Sequence, residues 1–236
     1  MERIPLSARL ASVAALVPRG AVLADIGTDH GFLPIHLLRQ GYIQRAIAAD
    51  LRRGPLEKAV ENGKRYGVTE NLDFRLSDGL AEIKPHEVDT VVIAGMGGET
   101  IAGILAAAPW TREGGCRLIL QPMTAHYDLR DFLNGSGYAI LGEHLNEEGR
   151  HIYVTMEVTA GEEPPYTPGE KWAGRQFEGM DSPLRDVYLQ MLETRVRRAL
   201  VGLRQSVRPG DVPRRELLEQ IASQLEEMRK EWQTWR

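Results

Sequence analysis

The sequence predicts an α/β domain built on a mostly parallel sheet, followed by a smaller helical domain. Three observations carry this. First, apolar strand-like runs alternate with helix-like segments over short connections until about residue 158, the pattern of a parallel sheet covered on both faces. Second, the last two strand-like runs have no helix between them, so they should close the sheet as an antiparallel pair at one edge. Third, the composition shifts after Val158 to a Pro- and Gly-rich stretch and then to apolar residues spaced three and four apart, the period of a helix.

Each element follows from local chemistry. The opening segment, MERIPLSARLASVAALV, reads as a short amphipathic helix in which Leu6, Leu10, Val13 and Leu16 or Val17 recur at helical spacing. It is too short and interrupted for a membrane span and lacks the layout of a signal peptide. Strands are expected at 21–27, 44–50, 72–78, 87–95 and 116–122, the fourth apolar enough for a buried central place. Helices are expected at 32–41, 53–68, 98–109 and 125–137. Pro34 and Pro55 fall in first turns, where a missing N–H costs nothing, and Gly67 is a C-terminal stop. The closing strands span 138–158 around the Glu147–Gly149 turn. Residues 1–160 thus form the first domain, 161–181 read as a linker, and 182–236 as a coiled-coil-like helical hairpin. In that hairpin Leu218, Ile221, Leu225, Met228, Trp232 and Trp235 form a seam.

The bulk properties exclude little. Of 236 residues, 42% are hydrophobic, and the net charge is −4, neither a basic nucleic-acid module nor an acidic tail. From Ser182 onward, however, 11 Lys or Arg stand against 8 Asp or Glu, with Arg195, Arg197 and Arg198 concentrated together. The single cysteine, Cys116, lies in an apolar run and fits core packing in a cytoplasmic protein. The histidines are scattered without ligand-type spacing, so no metal is expected.

The first strand ends in LADIGTDHGF. A dinucleotide site wants G-x-G-x-x-G, but this loop reads D-x-G-x-x-x-G and carries Asp25 and Asp29. Two carboxylates suit a cationic ligand better than a pyrophosphate. S-adenosylmethionine carries a sulfonium and an ammonium and no phosphate. Asp25 can face the ammonium, and Gly27 lets the backbone approach closely. Asp50, ending the second strand, can accept both ribose hydroxyls. Asp78 with Gly79 can contact the adenine amino group. Each acid also has a plain role in capping or turns, but all three fall at one sheet edge, where ligands sit. Gly95, Met96 and Gly97 reach the same edge.

Together LSARL (6–10), ADIGTDHGFLP (24–34), SDGL (77–80), IAGMGG (93–98), LILQP (118–122) and EEGRHIYV (147–154) resemble, in order, the bacterial tRNA adenine-22 N1-methyltransferase family. The likeness covers nearly the whole chain. It implies a Rossmann-like class I methyltransferase domain with a C-terminal helical domain that helps hold tRNA. It also implies a cofactor site on Asp25, Gly27, Asp50, Asp78 and Gly79, with Gly95 and Met96 beside the methyl group. Asp50 stands where this family often has glutamate.

Adenine N1 has an in-plane lone pair and needs no base to activate it. The product ring is cationic, so a nearby carboxylate would stabilise it; Asp29 is the candidate, with His30 second. The base must leave the tRNA stack. Phe32, Tyr127 and Tyr153 are aromatics that could hold it. Arg9 and Arg150 could contact phosphate or base, Gln121 and Pro122 could line the substrate side, and Arg195, Arg197 and Arg198 could hold tRNA. Gly97 is expected to leave space for the purine edge. A methyltransferase for a small molecule or protein, and a non-catalytic binding module, remain alternatives at this point. A monomer is expected.

Overall fold

The computed structural model describes residues 4, 6–204 and 210–235. The chain divides between Glu163 and Pro164 into two compact units.

The first unit carries a seven-stranded sheet in the order β3-β2-β1-β4-β5-β7-β6. Its strands are β1 Val22–Ile26, β2 Arg45–Asp50, β3 Leu72–Leu76, β4 Thr90–Gly97, β5 Arg117–Thr124, β6 Tyr138–Glu148 and β7 His151–Ala160. The first five are parallel. β7 inserts antiparallel beside β5, and β6 pairs antiparallel outside it. The closing pair is therefore antiparallel, as the missing helix required. The central strands β1, β2, β4 and β5 are nearly continuous apolar runs because both faces are covered. The connecting helices are α1 Ala8–Leu16, α2 Phe32–Arg39, α3 Arg53–Tyr66, α4 Gly98–Ala107 and α5 His126–Gly135, with a short 3-10 turn at Pro109–Arg112.

Two features of this unit position the site. Strand order reverses between β1 and β4, which opens a crevice at their carboxyl ends. And α1 is fixed at its start: Ser7 Oγ accepts from the Leu10 N–H at 3.3 Å, a side-chain N-cap. Val13 and Ala14 of α1 then bury into the core formed with β1, β2 and α2.

β4 corrects the expected boundary. It starts three residues later than the apolar pattern suggested and continues through Gly97, with register shifts against β5 at Ala94/Met96 and Met96/Gly97. The glycine segment is thus irregular strand running straight into α4, not an open loop. The bulges re-aim the backbone at the sheet edge.

The second unit holds α6 Pro168–Ala173, α7 Arg185–Arg204 and α8 Asp211–Thr234. The seam of α8 is buried at Leu218, Ile221, Leu225, Met228 and Trp232. The stretch expected as a linker, 161–181, is corrected. It contains α6, opened by a capping box between Thr167 and Glu170 with Pro168 at its first position. α6 packs on α7 and α8, and the Gly169 N–H donates to Gln224 Oε1 at 2.6 Å. Arg185, 1% exposed, donates to the carbonyls of Ala173 and Gly174. The break between α7 and α8 lies largely outside the described residues. Among the described residues, no helix is long and apolar enough to cross a membrane.

Candidate active site

The crevice between β1 and β4 opens into a cavity of about 460 Å³. The ends of β1, β2 and β3 each deliver a carboxylate or its supporting turn. Asp25 closes β1 and is 5% exposed. Its Oδ2 accepts from Thr28 Oγ1 at 2.6 Å. Burial pushes the Asp25 carboxyl up to about 6; the Thr28 hydroxyl opposes this and the charge of Asp50 adds to it. A buried acid held there suits a cationic ligand, whose charge would bring the carboxylate back.

Asp50, at the end of β2, is buried and accepts two backbone N–H groups, Asp29 at 3.2 Å and Arg52 at 2.9 Å. It therefore shapes the first loop and faces the cavity as well. That loop is further tied down by the N–H groups of Gly27 and Thr28, both donating to the Ala49 carbonyl. Gly27 has φ +71, and an added Cβ there would collide with Met96 Cε. The thioether of Met96 thus lies directly against the first loop; the positive φ is what favours glycine at 27, and a larger residue would also push the end of the Met96 side chain aside. After β3, the Ser77 hydroxyl donates to the Gly79 carbonyl at 2.9 Å and holds the Asp78–Gly79 turn.

The structure brings Asp25, Gly27, Asp50, Asp78, Gly79, Gly95 and Met96 to this one cavity, with Asp29, His30, Phe32 and Arg9. Asp29 has φ +52, and its carboxylate is 62% exposed and 3.6 Å from His30 Nε2. The His30 ring stacks on Phe32 with centroids 5.5 Å apart. Gln121 is fully buried at the end of β5 and touches both Arg9 and Gly95.

Other expected residues do not line the cavity. Pro122 is buried opposite Met96 in the strand register. Tyr127 lies in the first turn of α5, and Arg150 is exposed in the β6–β7 turn. Gly97 itself is not among the lining residues: its added Cβ would meet Thr124 Oγ1 of β5 at 3.1 Å and Thr100 Oγ1 of α4, which does line the cavity, at 3.8 Å. The tightly enclosed glycine is its neighbour, Gly98. Thr28, Leu51, Arg52, Thr100 and Ile104 also line the cavity and were missed. Leu51 had a signal, an apolar residue directly after the acid that ends β2; at 64% exposure it offers a face to a ligand rather than to the core.

In the second unit the three arginines separate. Arg195 and Arg198 line an open groove on α7 with Val187, Gln190, Met191 and Thr194. Arg197 turns away and pairs with Glu193 and Glu226 at 2.8 and 2.9 Å. If α7 holds nucleic acid, Arg195→Ala with Arg198→Ala should weaken tRNA binding and flatten its salt dependence by about one to two units of slope. Arg197→Ala should change it much less. Equal losses from all three in a salt series would contradict this division. Among the described residues no group of His, Cys, Asp or Glu could hold a metal ion.

The strand order, the antiparallel closing pair and the acid-lined crevice without a phosphate loop define a class I methyltransferase. The family described as "Methyltransferase domain" matches residues 6–156. A Bacillus subtilis protein, tRNA (adenine(22)-N(1))-methyltransferase, is 38% identical over 162 residues, which is 69% of this chain and 68% of that protein. The crystal structure of the B. subtilis M1A22 tRNA methyltransferase TrmK superposes with a TM-score of 0.87 at 28% identity, covering 96% of this chain and 100% of that one. The Streptococcus pneumoniae protein Sp1610, solved with S-adenosyl-L-methionine, gives a TM-score of 0.79 at 32% identity over 95% of this chain and 100% of its own. The chain belongs to the bacterial tRNA (adenine-22-N1)-methyltransferase family.

Proposed function

We propose that this chain transfers the methyl group of S-adenosylmethionine to N1 of adenine 22 in tRNA. The observation that carries the reading is the pairing of an acid-lined cofactor crevice with a strand-four segment, Gly95 to Gly98, that presents no polar side chain. When bound, S-adenosylmethionine supplies a methyl group on a positively charged sulfur. Asp25 would hold the ammonium and Asp50 the ribose hydroxyls. Asp78 and Gly79 would hold the adenine amino group.

A ring nitrogen that already has its lone pair needs alignment and exclusion of water, not deprotonation. Gly95 and Met96 leave the approach open. An exocyclic amine nucleophile would instead call for a side-chain acceptor here, and none is present in this segment. Asp29 sits at the rim with its carboxylate available to the positive charge that develops on the base. Asp29→Asn should lower kcat about tenfold while cofactor affinity stays unchanged. Full turnover at saturating cofactor and tRNA would remove Asp29 from that role. The reading as a whole is tested by mapping the methylated position on a tRNA transcript, with a second transcript in which adenine 22 is replaced. Equal incorporation into both would overturn it.

A further inference from the structure

The cavity is lined by charges of both signs, with Arg52 standing among the acids. Asp25, Asp50 and Asp78 line the ends of β1 to β3, and on the β4 side stands Arg9, reaching in from α1. Arg9 Nη1 donates to Gln121 Oε1 at 2.6 Å. The guanidinium lies 6.0 Å from the centroid of the Tyr153 ring. A carbon added at Gly95 would be 3.5 Å from Nη1, so the group rests against the strand-four segment. Among the described residues, the guanidinium has no carboxylate within ion-pair distance; Glu148 meets only the Arg9 backbone N–H, at 2.7 Å.

The reaction decides what this cation can face. Methylation at N1 leaves the base positively charged, and a guanidinium beside N1 would oppose the developing charge. The part of the target nucleotide that a fixed guanidinium favours is its phosphate. We propose, resting on the tRNA methyltransferase reading, that Arg9 binds a phosphate of the target nucleotide and that Gln121 is the positioning residue that aims it. Gln121 is fully buried. Its oxygen accepts from Arg9 and from the Gly95 N–H at 3.1 Å, and its amide nitrogen donates to the Pro122 carbonyl at 2.9 Å. One amide therefore fixes both the strand-four segment beside the cofactor and the cation that meets the acceptor. Glu148 holds the helix from which Arg9 extends.

The test uses the full chain, a tRNA transcript, a salt series and cofactor titration. Arg9→Ala should raise the KM for tRNA about tenfold or more. It should change kcat at saturating tRNA little and leave cofactor affinity unchanged. The backbone bond to Glu148 survives this change, so unaltered cofactor binding reports an intact fold. The slope of log affinity against log salt should fall by about one. Arg9→Lys should recover part of the affinity. Gln121→Leu should shift the KM for tRNA in the same direction although it removes no charge. An unchanged salt slope in Arg9→Ala, or a loss confined to kcat, would overturn the assignment while leaving the function reading intact. Should the wild type methylate a different adenine, the function reading fails, and the Arg9 slope still reports its own outcome. A wild type that neither binds nor methylates tRNA overturns both.

Discussion

Asp25→Asn should abolish useful cofactor binding and, at the same time, make the free protein more stable. The two effects share one cause. Asp25 is buried, and its carboxyl is raised from 3.8 to about 6, so the folded state holds its proton more tightly than the unfolded chain. The free protein therefore loses stability as pH rises from 3.8 through about 6 and carries that penalty at neutral pH. Its size is on the order of 2–3 kcal/mol. Asparagine keeps an acceptor for the Thr28 hydroxyl and removes the buried charge. Thermal unfolding of the free variant at pH 7 should show the gain, and calorimetric titration should show cofactor affinity down about a hundredfold. For the wild type, the affinity should fall about tenfold per pH unit below about 6, as a proton competes for the carboxylate. A variant that binds cofactor like the wild type would show that Asp25 does not meet the ammonium.

The second large effect is expected at Gly98, and the contrast with its neighbour makes it informative. A Cβ at Gly98 would run into the Ala125 carbonyl oxygen, with the Ala125 carbonyl carbon at 2.9 Å and the Thr124 oxygen at 3.0 Å. These are backbone atoms at the join of β5 and α5, and Ala125 is itself held at φ +53, so the segment has little room to yield. Gly98→Ala should cost about 3 kcal/mol and disturb the strand-four segment that leads into α4. Gly97 has an ordinary extended backbone, φ −68 and ψ 147, and its Cβ would meet only rotatable hydroxyls. Gly97→Ala should stay within about 0.5 kcal/mol with normal turnover. Denaturant unfolding of both variants checks the pair, and equal losses would refute the packing argument.

What the sequence revealed follows the range of the physics involved. The acids at 25, 50 and 78 were legible because strand and helix periodicity is local and places each strand end without any knowledge of tertiary contacts. The separation of Arg197 from Arg195 and Arg198 was also available, since residues three apart share a helix face and residues two apart do not. α6 carried its own signal, Thr167 with Glu170 three residues later and Pro168 between them; counting the proline as a breaker hid it. The Arg9, Gln121 and Glu148 linkage had no such local trace, because its contacts span 112 and 139 residues. The same holds for Gly98, whose constraint comes from a carbonyl just past the end of a different strand. Local pattern reaches the cofactor side of the cavity, and only the folded chain shows how the acceptor side is held.

The Glu148 bond to α1 also sets an order in time. During synthesis from the amino terminus, every residue that lines the cavity has been made by Ile104, whereas the carboxylate that steadies Arg9 belongs to the β6–β7 hairpin. The nascent chain thus has its cofactor cradle in hand well before it owns the brace on its acceptor side. The helix that carries Arg9 is made before the strand whose carboxylate holds it.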